Sequence, residues 1–466
     1  MNDHTDRTQD RTTITASRGL QGVREAAQRD KGLRFTTLLH GRPPGRMSEK
    51  RLRDSFYLLK RQAAPGVDRV TWSEYEEGVE ARITDLHDRI HRQAYRAQPS
   101  RRVYIPKPDG RQRPLGIAAL EDKIVQQAVV EVLNQIYEED FAGFSYGFRP
   151  GRGAHDALDS LSTGIVTKKV NWILDADIKG FFDNISHEKL MELIELRIAD
   201  PRILRLIRKW LTAGVSEDGQ WSATKMGTPQ GAVISPLLAN IYLHYVLDQW
   251  VMEWRKVQAK GDVIIVRYAD DFVLGFQQRN EAERFLRQLR ERMAEFGLEL
   301  HSEKTRLIEF GRYATERRKR DGAGKPETFN FLGFTHICST IHKSGQFTVM
   351  RKTIGKRVTA KLHDIAAKLR KRMNDPIEQT GNWLNQVVRG YYNYHAIPGN
   401  LKRLYMFRRE TARHWLSALR RRSQRSRWTW ERFETLMDQY LPEPRIIHPH
   451  PLDRFYAKHP DKSRVR

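Results

Sequence analysis

The sequence predicts an α+β protein of several compact units, and three observations carry that prediction. The chain has 466 residues, more than one ordinary core holds, so about three units are expected. Its middle alternates apolar runs of strand period, NWILDADI at 171–178 and the pair VIIVRY and FVLGF flanking Asp270-Asp271, with stretches of helical period. Over 171–310 the order is strand, helices, β-hairpin, helix, strand, the split βαβ arrangement of a ferredoxin-like sheet with an insertion.

Taken in order, residues 1–30 are polar and expected to be partly flexible, with regular periodicity from about Leu33. YIPKPDGRQRPLGI at 104–117 reads as a β-ribbon turning at Asp109-Gly110, because that pair accepts the positive φ of a tight hairpin; Lys107, Arg111 and Arg113 would project from it. DKIVQQAVVEVLNQIYEEDF has amphipathic helical spacing. SPLLANIYLHYVLDQW opens with Ser235 as N-cap and Pro236 in the first turn. EAERFLRQLRERMAEFG is helical, with Phe285, Leu286, Leu289, Met293 and Phe296 on one side, and LELHSEKTRLIEF returns as a strand. The polar stretch RYATERRKRDGAGKP at 312–326 is expected to be a loop between units. Beyond it the chain is mostly helical, beginning with a stripe of Ile354, Val358, Leu362, Ile365 and Leu369. WTWERFETLMDQYL and a tail rich in proline and histidine follow.

Composition narrows the function. Lys+Arg 82 against Asp+Glu 57 gives a formal net charge of +25, while 39% hydrophobic residues argue against wholesale disorder. Basic residues spread along the chain among aromatic ones suit a nucleic-acid track better than an acidic membrane or protein. No apolar run approaches the roughly 18 residues of a membrane helix, and the opening lacks a secretion signal, so no membrane partner and an intracellular location are expected. The single cysteine, Cys338, excludes an internal disulfide framework and multi-cysteine zinc sites; it reads as a small buried residue.

The candidate chemistry lies in the acids. Nucleotidyl transfer needs charge neutralisation on phosphate and an activated hydroxyl, which two magnesium ions roughly 4 Å apart supply, and magnesium takes carboxylate oxygens together with substrate phosphates. Asp177 ends a strand that can lie beside the hairpin carrying Asp270 and Asp271; adjacent acids repel unless a cation or proton compensates. A solvated Asp-Asp turn is the alternative reading of the bare pair. GTPQG at 227–231 is a glycine-bounded loop where backbone can approach a base pair, with Gln230 able to donate and accept. Phe181 and Phe182 follow Asp177 closely; Phe181 reads as core, and Phe182 would stand beside a sugar held over the metals.

The motifs APGVDRVT, YIPKPDGRQRPLGI, SYGFRPGRGAHDAL, DADIKGFFDNISH, GTPQGAVISPLLANIYL, RYADDFVLGF, HSEKT, ETFNFLGF and WLNQVVRGYYNYH occur in an order that resembles the group II intron-encoded reverse transcriptases, or maturases, from about Ala64 to Tyr440. The resemblance implies a right-hand polymerase: an N-terminal extension over 1–45, fingers over 46–168, palm over 169–338, a helical thumb or maturase domain over 339–425, and a C-terminal extension over 426–466 as a candidate DNA-binding segment. It implies Asp177, Asp270 and Asp271 as catalytic metal ligands for two Mg2+, with Mn2+ as a substitute. Asp183 belongs to the pattern in a structural or nucleic-acid-facing role. Phe182 matches a gate against the 2′-hydroxyl, so the product is expected to be DNA. Lys107 and Arg113 match residues holding the incoming triphosphate, Gln230 and Gly231 the loop lining the nascent pair, and Lys304 a lysine near the triphosphate, with a solvated strand end as its alternative. FLGF at 331–334 resembles the primer grip.

Arg149, Arg389, Tyr391 and Tyr392 are expected to contact nucleic acid, although helix-bundle core is the other place for the tyrosines. Departures are Arg69 where glycine is usual and Ala118 where proline is usual. His448, His450 and His459 form no convincing zinc or nuclease pattern, and the HNH endonuclease of longer relatives is missing, so mobility is expected to use a pre-existing 3′ end at the target, as at a replication fork. The expected partners are group II intron RNA, an RNA template with a DNA primer, a DNA target and deoxynucleoside triphosphates, in a bacterial cytoplasm near the nucleoid. The other readings are a free-standing bacterial reverse transcriptase in defence or repair and a non-enzymatic RNA-binding splicing factor.

Overall fold

A computed structural model describes residues 18–39, 47–106, 112–224, 226–341, 343–422 and 427–459. Order begins earlier than the polar composition suggests. Leu20, Val23 and Ala27 recur on one face of α1 (Arg18–Arg29) and are buried, enough to dock it on the core. α2 (Glu49–Leu58) and α3 (Trp72–Glu76) start at Ser48 and Thr71, whose hydroxyls accept from Arg51 N and Glu74 N; Glu74 returns a bond to the Thr71 amide. α4 (Val79–His91) closes this helical layer, where the Phe56 and Trp72 rings stack at 4.7 Å.

The expected ribbon is present as β1 (Ser100–Pro106) and β2 (Gln112–Ile117), antiparallel with Pro106 opposite Gln112. Its Asp109-Gly110 turn, with Lys107 and Arg111, lies outside the described residues. α5 (Leu120–Asp140) buries residues on nearly every side, among them Ile124, Val129, Leu133 and Ile136, and α1 and α2 pack on it. α6 (Ala154–Thr167) leads into the central sheet.

That sheet is built from β3 (Trp172–Asp177), then α7 (Phe181–Asn184), α8 (His187–Glu195) and α9 (Pro201–Thr212). β4 (Val215–Glu217) and β5 (Gln220–Ser222) follow, extending the first ribbon to the order β2-β1-β4-β5. α10 (Ser235–Leu243), a π-helical turn over His244–Asp248 and α11 (Gln249–Val257) make one continuous helical rod. Its N-cap is Ile234, not Ser235; the Ser235 hydroxyl donates to Pro229 O at 2.9 Å, with Pro236 in the first turn. β6 (Val263–Tyr268), β7 (Asp271–Phe276), α12 (Arg279–Glu295) and β8 (Arg306–Glu309) complete the unit, and the strands lie in the order β6-β7-β3-β8, antiparallel throughout. The last strand is shorter than expected, since His301–Thr305 turns back on itself with Thr305 N donating to His301 O.

Both faces of this sheet are covered. Leu174, Ala176, Phe272 and Leu274 point into a large core shared with α5 and α12, whereas Ile173, Ile264, Val266 and Val273 point into a second core. The period-two split explains why these strands read as nearly continuous apolar runs.

α13 (Arg312–Arg320) replaces the expected loop, because Glu309 accepts two bonds from Arg317 and pairs with Arg318, giving a very basic segment a partner. β9 (Phe329–Phe331), β10 (Phe334–Thr340) and β11 (Phe347–Thr353) form a second antiparallel sheet ordered β11-β10-β9, so a boundary at 338/339 would cut β10. Cys338, half-buried on β10, accepts from Gly311 N at 3.3 Å.

α14 (Gly355–Lys371), α15 (Ile377–His395), α16 (Leu401–Arg420) and α17 (Trp430–Tyr440) enclose a third core containing Val358, Leu362, Ile365, Leu369, Leu384, Trp415 and Phe433. The tail then returns as α18 (Pro451–Lys458) against α6. Phe455 enters the second core, Arg454 joins buried Arg351 in pairing with Asp159, and Lys458 reaches Asp156 at 2.7 Å. Among the described residues no helix is long and apolar enough to cross a membrane.

Candidate active site

The antiparallel register of β3 and β7 sets Asp177 opposite Asp271, and Asp175 opposite Val273. Side chains two apart share a face, so Asp175, Asp177 and Asp271 project together from the side of the sheet that carries Ile173 and Val273. Asp270 stands beside them in the β6–β7 turn, after Ala269 at φ 58°. The acids distant in sequence are therefore brought to one end of two neighbouring strands.

Burial is the main cause of their altered acidity, and mutual repulsion adds to it. Asp271 is pushed up to about 7 by burial and then by Asp175, Asp270 and Asp177, against an opposing pull from Arg357. Asp175 rises to about 6 through burial, with Arg306 opposing and Asp177 adding. Asp270 is raised by burial and by Asp177, while a backbone hydrogen bond, Arg113 and Arg267 oppose. Asp177 is half exposed and already holds a cation, because Lys304 Nζ donates to its Oδ2 at 2.7 Å.

Carboxylates that raise one another's proton affinity while one of them seats an ammonium fit a divalent cation. Among the described residues, no three His, Cys, Asp or Glu side chains already surround a single metal position. A magnesium shell shared with substrate phosphates needs fewer protein oxygens than that.

The loop at 227–231 docks onto the next turn of chain. Thr228 N donates to Phe182 O at 2.8 Å, Gln230 Nε2 to Asp183 Oδ1 at 3.1 Å, and Gly116 N to Gln230 O at 2.7 Å. A Cβ on Gly227 would stand 2.8 Å from Phe182 O, and one on Gly231 2.9 Å from Gly116 O; both glycines have positive φ. The immediate reason for these glycines is thus close approach to the protein's own backbone, tying β2 to α7. Phe181 is buried, whereas Phe182 is half-buried with its ring 5.3 Å from that of Phe181. Arg113 is exposed on β2, and its charge opposes the rise at Asp270.

Three residues expected to contact nucleic acid are buried among protein partners. Arg149 is buried, its guanidinium bonded to Glu138 and to the carbonyls of Ala142 and Ser145, and the Phe141 ring lies 5.1 Å below it; it braces a turn. Tyr391 stacks on Phe407 at 3.7 Å and Tyr392 donates to Pro442 O at 3.2 Å, both inside the third core. Helical spacing turns them inward and leaves Arg389 exposed, with Nε bonded to Asn385 Oδ1.

Three residues near the acids escaped the sequence reading. Asp175 had a signal, since it lies two before Asp177 in a strand. Arg357 on α14 and Tyr394 on α15 had none, because only the packing of the third core beside the sheet brings them to Asp271. Tyr394 also donates to Leu332 O at 2.7 Å, holding the FLGF turn, where Leu332 and Gly333 have φ of 43° and 85°.

Residues 105–336 match the family Reverse transcriptase (RNA-dependent DNA polymerase), an interval running from the end of β1 through the acids into β10. Protein YkfC of Escherichia coli (strain K12) is 38% identical over 238 residues, 45% of this chain and 62% of that protein. The group II intron-encoded protein LtrA of Lactococcus lactis subsp. cremoris is 45% identical over 179 residues, 38% of this chain and 29% of the relative. A 91 kDa protein in the cob intron of Schizosaccharomyces pombe is 32% identical over 302 residues, 62% of this chain and 37% of its own. The chain thus spans less than two thirds of each of these relatives. With most of its motifs falling inside the matched interval, the chain belongs to the reverse transcriptase family, in the branch of group II intron-encoded reverse transcriptases and maturases.

Proposed function

We propose that this chain is an RNA-directed DNA polymerase that also binds a group II intron RNA and assists its splicing and mobility. The observation that carries the reading is the pairing of Asp177 with Asp271 across two strands, with Asp270 beside them, inside a chain of this family. Asp177, Asp270 and Asp271 would hold a pair of magnesium ions, replaceable by manganese, that neutralise phosphate charge and lower the pKa of the primer's 3′-hydroxyl.

The chain's own residues bind and orient. Arg113, and Lys107 between β1 and β2 in the sequence, would take the triphosphate, and the Gly116 N–Gln230 O bond ties β2 to the loop at 227–231. Lys304 would leave Asp177 for a phosphate oxygen when nucleotide enters, one cation replacing another at the carboxylate. Phe182 would close against C2′ of the sugar and exclude a 2′-hydroxyl. Arg389 and the basic faces of α14 and α16 would follow the phosphate backbone by charge and shape, so duplex binding weakens steeply with salt. In this assignment residues 46–168 are fingers, the palm begins at 169 and keeps β10 whole, and the helices from α14 to 425 are thumb.

The test is extension of a DNA primer annealed to an RNA template, with deoxynucleotides and magnesium, beside retention of a group II intron RNA by the same preparation. Templated extension together with intron binding is expected. Intron binding without extension would leave a splicing factor, and extension without intron binding a free-standing polymerase.

A further inference from the structure

The two acids at 270 and 271 follow the first residue of a two-residue hairpin turn, a place that favours glycine or asparagine and here holds Ala269. Ala269, with φ 58°, is in the left-handed region that L-residues avoid. Something must hold it, and the surroundings show what does.

Arg267, the last buried residue before the turn, is wholly inside the protein. Its guanidinium forks three ways. Nε donates to Asp248 Oδ1 at 2.7 Å with Nη2 on the other carboxylate oxygen, and Nη1 donates both to Asn240 Oδ1 at 3.0 Å and to Ala269 O at 3.0 Å. Asp248 is equally buried. Asn240 in turn donates from Nδ2 to Gly147 O at 2.7 Å.

The segment around Gly147 backs the turn directly. Arg267 N donates to Phe144 O and Tyr146 N to Arg267 O, and a Cβ on Gly147 would lie 2.3 Å from Ala269 N. The π-helical turn that ends at Asp248 adds a residue to the rod, and each residue of a helix rotates the side-chain direction by about 100°, so the wider turn changes where Asp248 points.

We propose that Arg267, Asp248 and Asn240 are positioning residues for the polymerase acids. Fixed by Asp248 and Asn240, the Arg267 fork pins the Ala269 carbonyl and with it the strained turn, so that Asp270 and Asp271 are presented at the end of β7 in one arrangement. A lysine keeps the charge opposite Asp248 but has no second arm for Ala269 O. The buried pair is thus there for geometry, since apolar residues of similar volume can replace such a pair without loss of the fold. The proposal rests on reading Asp270 and Asp271 as metal ligands of a polymerase.

Two variants test it in the full chain: Arg267→Met with Asp248→Leu, which removes the pair together, and Arg267→Lys. Metal-free hydrogen exchange over residues 266–274 is read beside single-nucleotide addition on a DNA-primed RNA template across a magnesium series, with duplex binding measured in parallel. Both variants should lose protection locally at 268–271. Both should add nucleotide tenfold or more slowly, need more magnesium for half-maximal rate, and bind duplex as the parent does. Unchanged exchange in a folded double variant overturns the proposal, as does full recovery of rate and magnesium midpoint by Arg267→Lys, which would reduce the pair to simple charge matching. If the double variant fails to fold, the lysine variant decides by the same readings. A parent that extends no primer overturns the polymerase reading instead, and the exchange result then still decides whether the fork holds the turn.

Discussion

At the scale of single residues, the acids were legible because strand period fixes which side chains share a face. Asp177 ends one apolar strand and Asp271 begins another, and antiparallel pairing sets them opposite each other. Asp248 and Arg267 were not legible, because a buried ion pair spanning a helix and a strand leaves no periodic trace in either. Arg149, Tyr391 and Tyr392 show the converse, in which residue types that favour nucleic acid are equally good at bracing turns and filling cores. Phe182, half-buried beside a buried Phe181, can lose its ring without opening the large core. Phe182→Ala should therefore raise ribonucleotide incorporation relative to deoxynucleotide by tenfold or more while the thermal midpoint shifts by only a few degrees. Measured as competing single-nucleotide additions, an unchanged ratio would assign the gate to another residue.

At the scale of elements, periodicity found the long strands and helices, and it failed where stability comes from distant partners. α13 is too polar to announce itself and is held by Glu309. The tail, whose composition suggested an extension, instead carries α18 back to α6, fastened by Phe455 in the second core and by Arg454 and Lys458 on acids of α6. Those acids, Asp156 and Asp159, lie three apart on one face of α6 and gave the sequence no hint of partners near the end of the chain. Phe455→Ala removes the apolar anchor, a loss of about 3 kcal/mol where a ring is fully buried. The expected result is early tryptic cleavage after Arg454 and Lys458 while the remainder stays resistant, seen by mass spectrometry over a digestion time course. Cleavage as slow as in the parent would mean that the ion pairs alone retain the helix.

At the scale of the molecule, length pointed to several cores and composition to a polyanionic partner, but the way the second core joins sheet, tail and helical bundle needed coordinates. That core also contains a pH-sensitive group. His336 is wholly buried, stacked on Phe329 at 4.7 Å, and burial followed by the nearby Arg351 lowers it to about 3 against an opposing pull from the Phe334 backbone. In the folded state it stays neutral down to that pH, whereas in the unfolded chain it takes a proton near 6.5. The unfolded state therefore binds more protons between those limits, and stability due to this group falls as pH falls. Because Asp122, Asp175 and Asp271 are raised and act in the opposite sense over part of that range, the effect is read as a difference between proteins. His336→Phe should gain on the parent by about 1.4 kcal/mol for each pH unit below 6.5, measured by urea unfolding between pH 7 and 5. A pH-independent difference would mean that the ring takes up its proton in the folded protein as it does in the unfolded chain.

The whole account depends on the acids at the ends of β3 and β7 being the centre of a polymerase, set apart from the basic surfaces that hold nucleic acid. Asp271→Asn keeps the side chain's shape and removes its charge. Single-turnover addition of one deoxynucleotide to a DNA primer on an RNA template, with duplex affinity measured on the same sample, is the most direct measurement. The account predicts no detectable addition at unchanged affinity. Addition at the parent rate would contradict it.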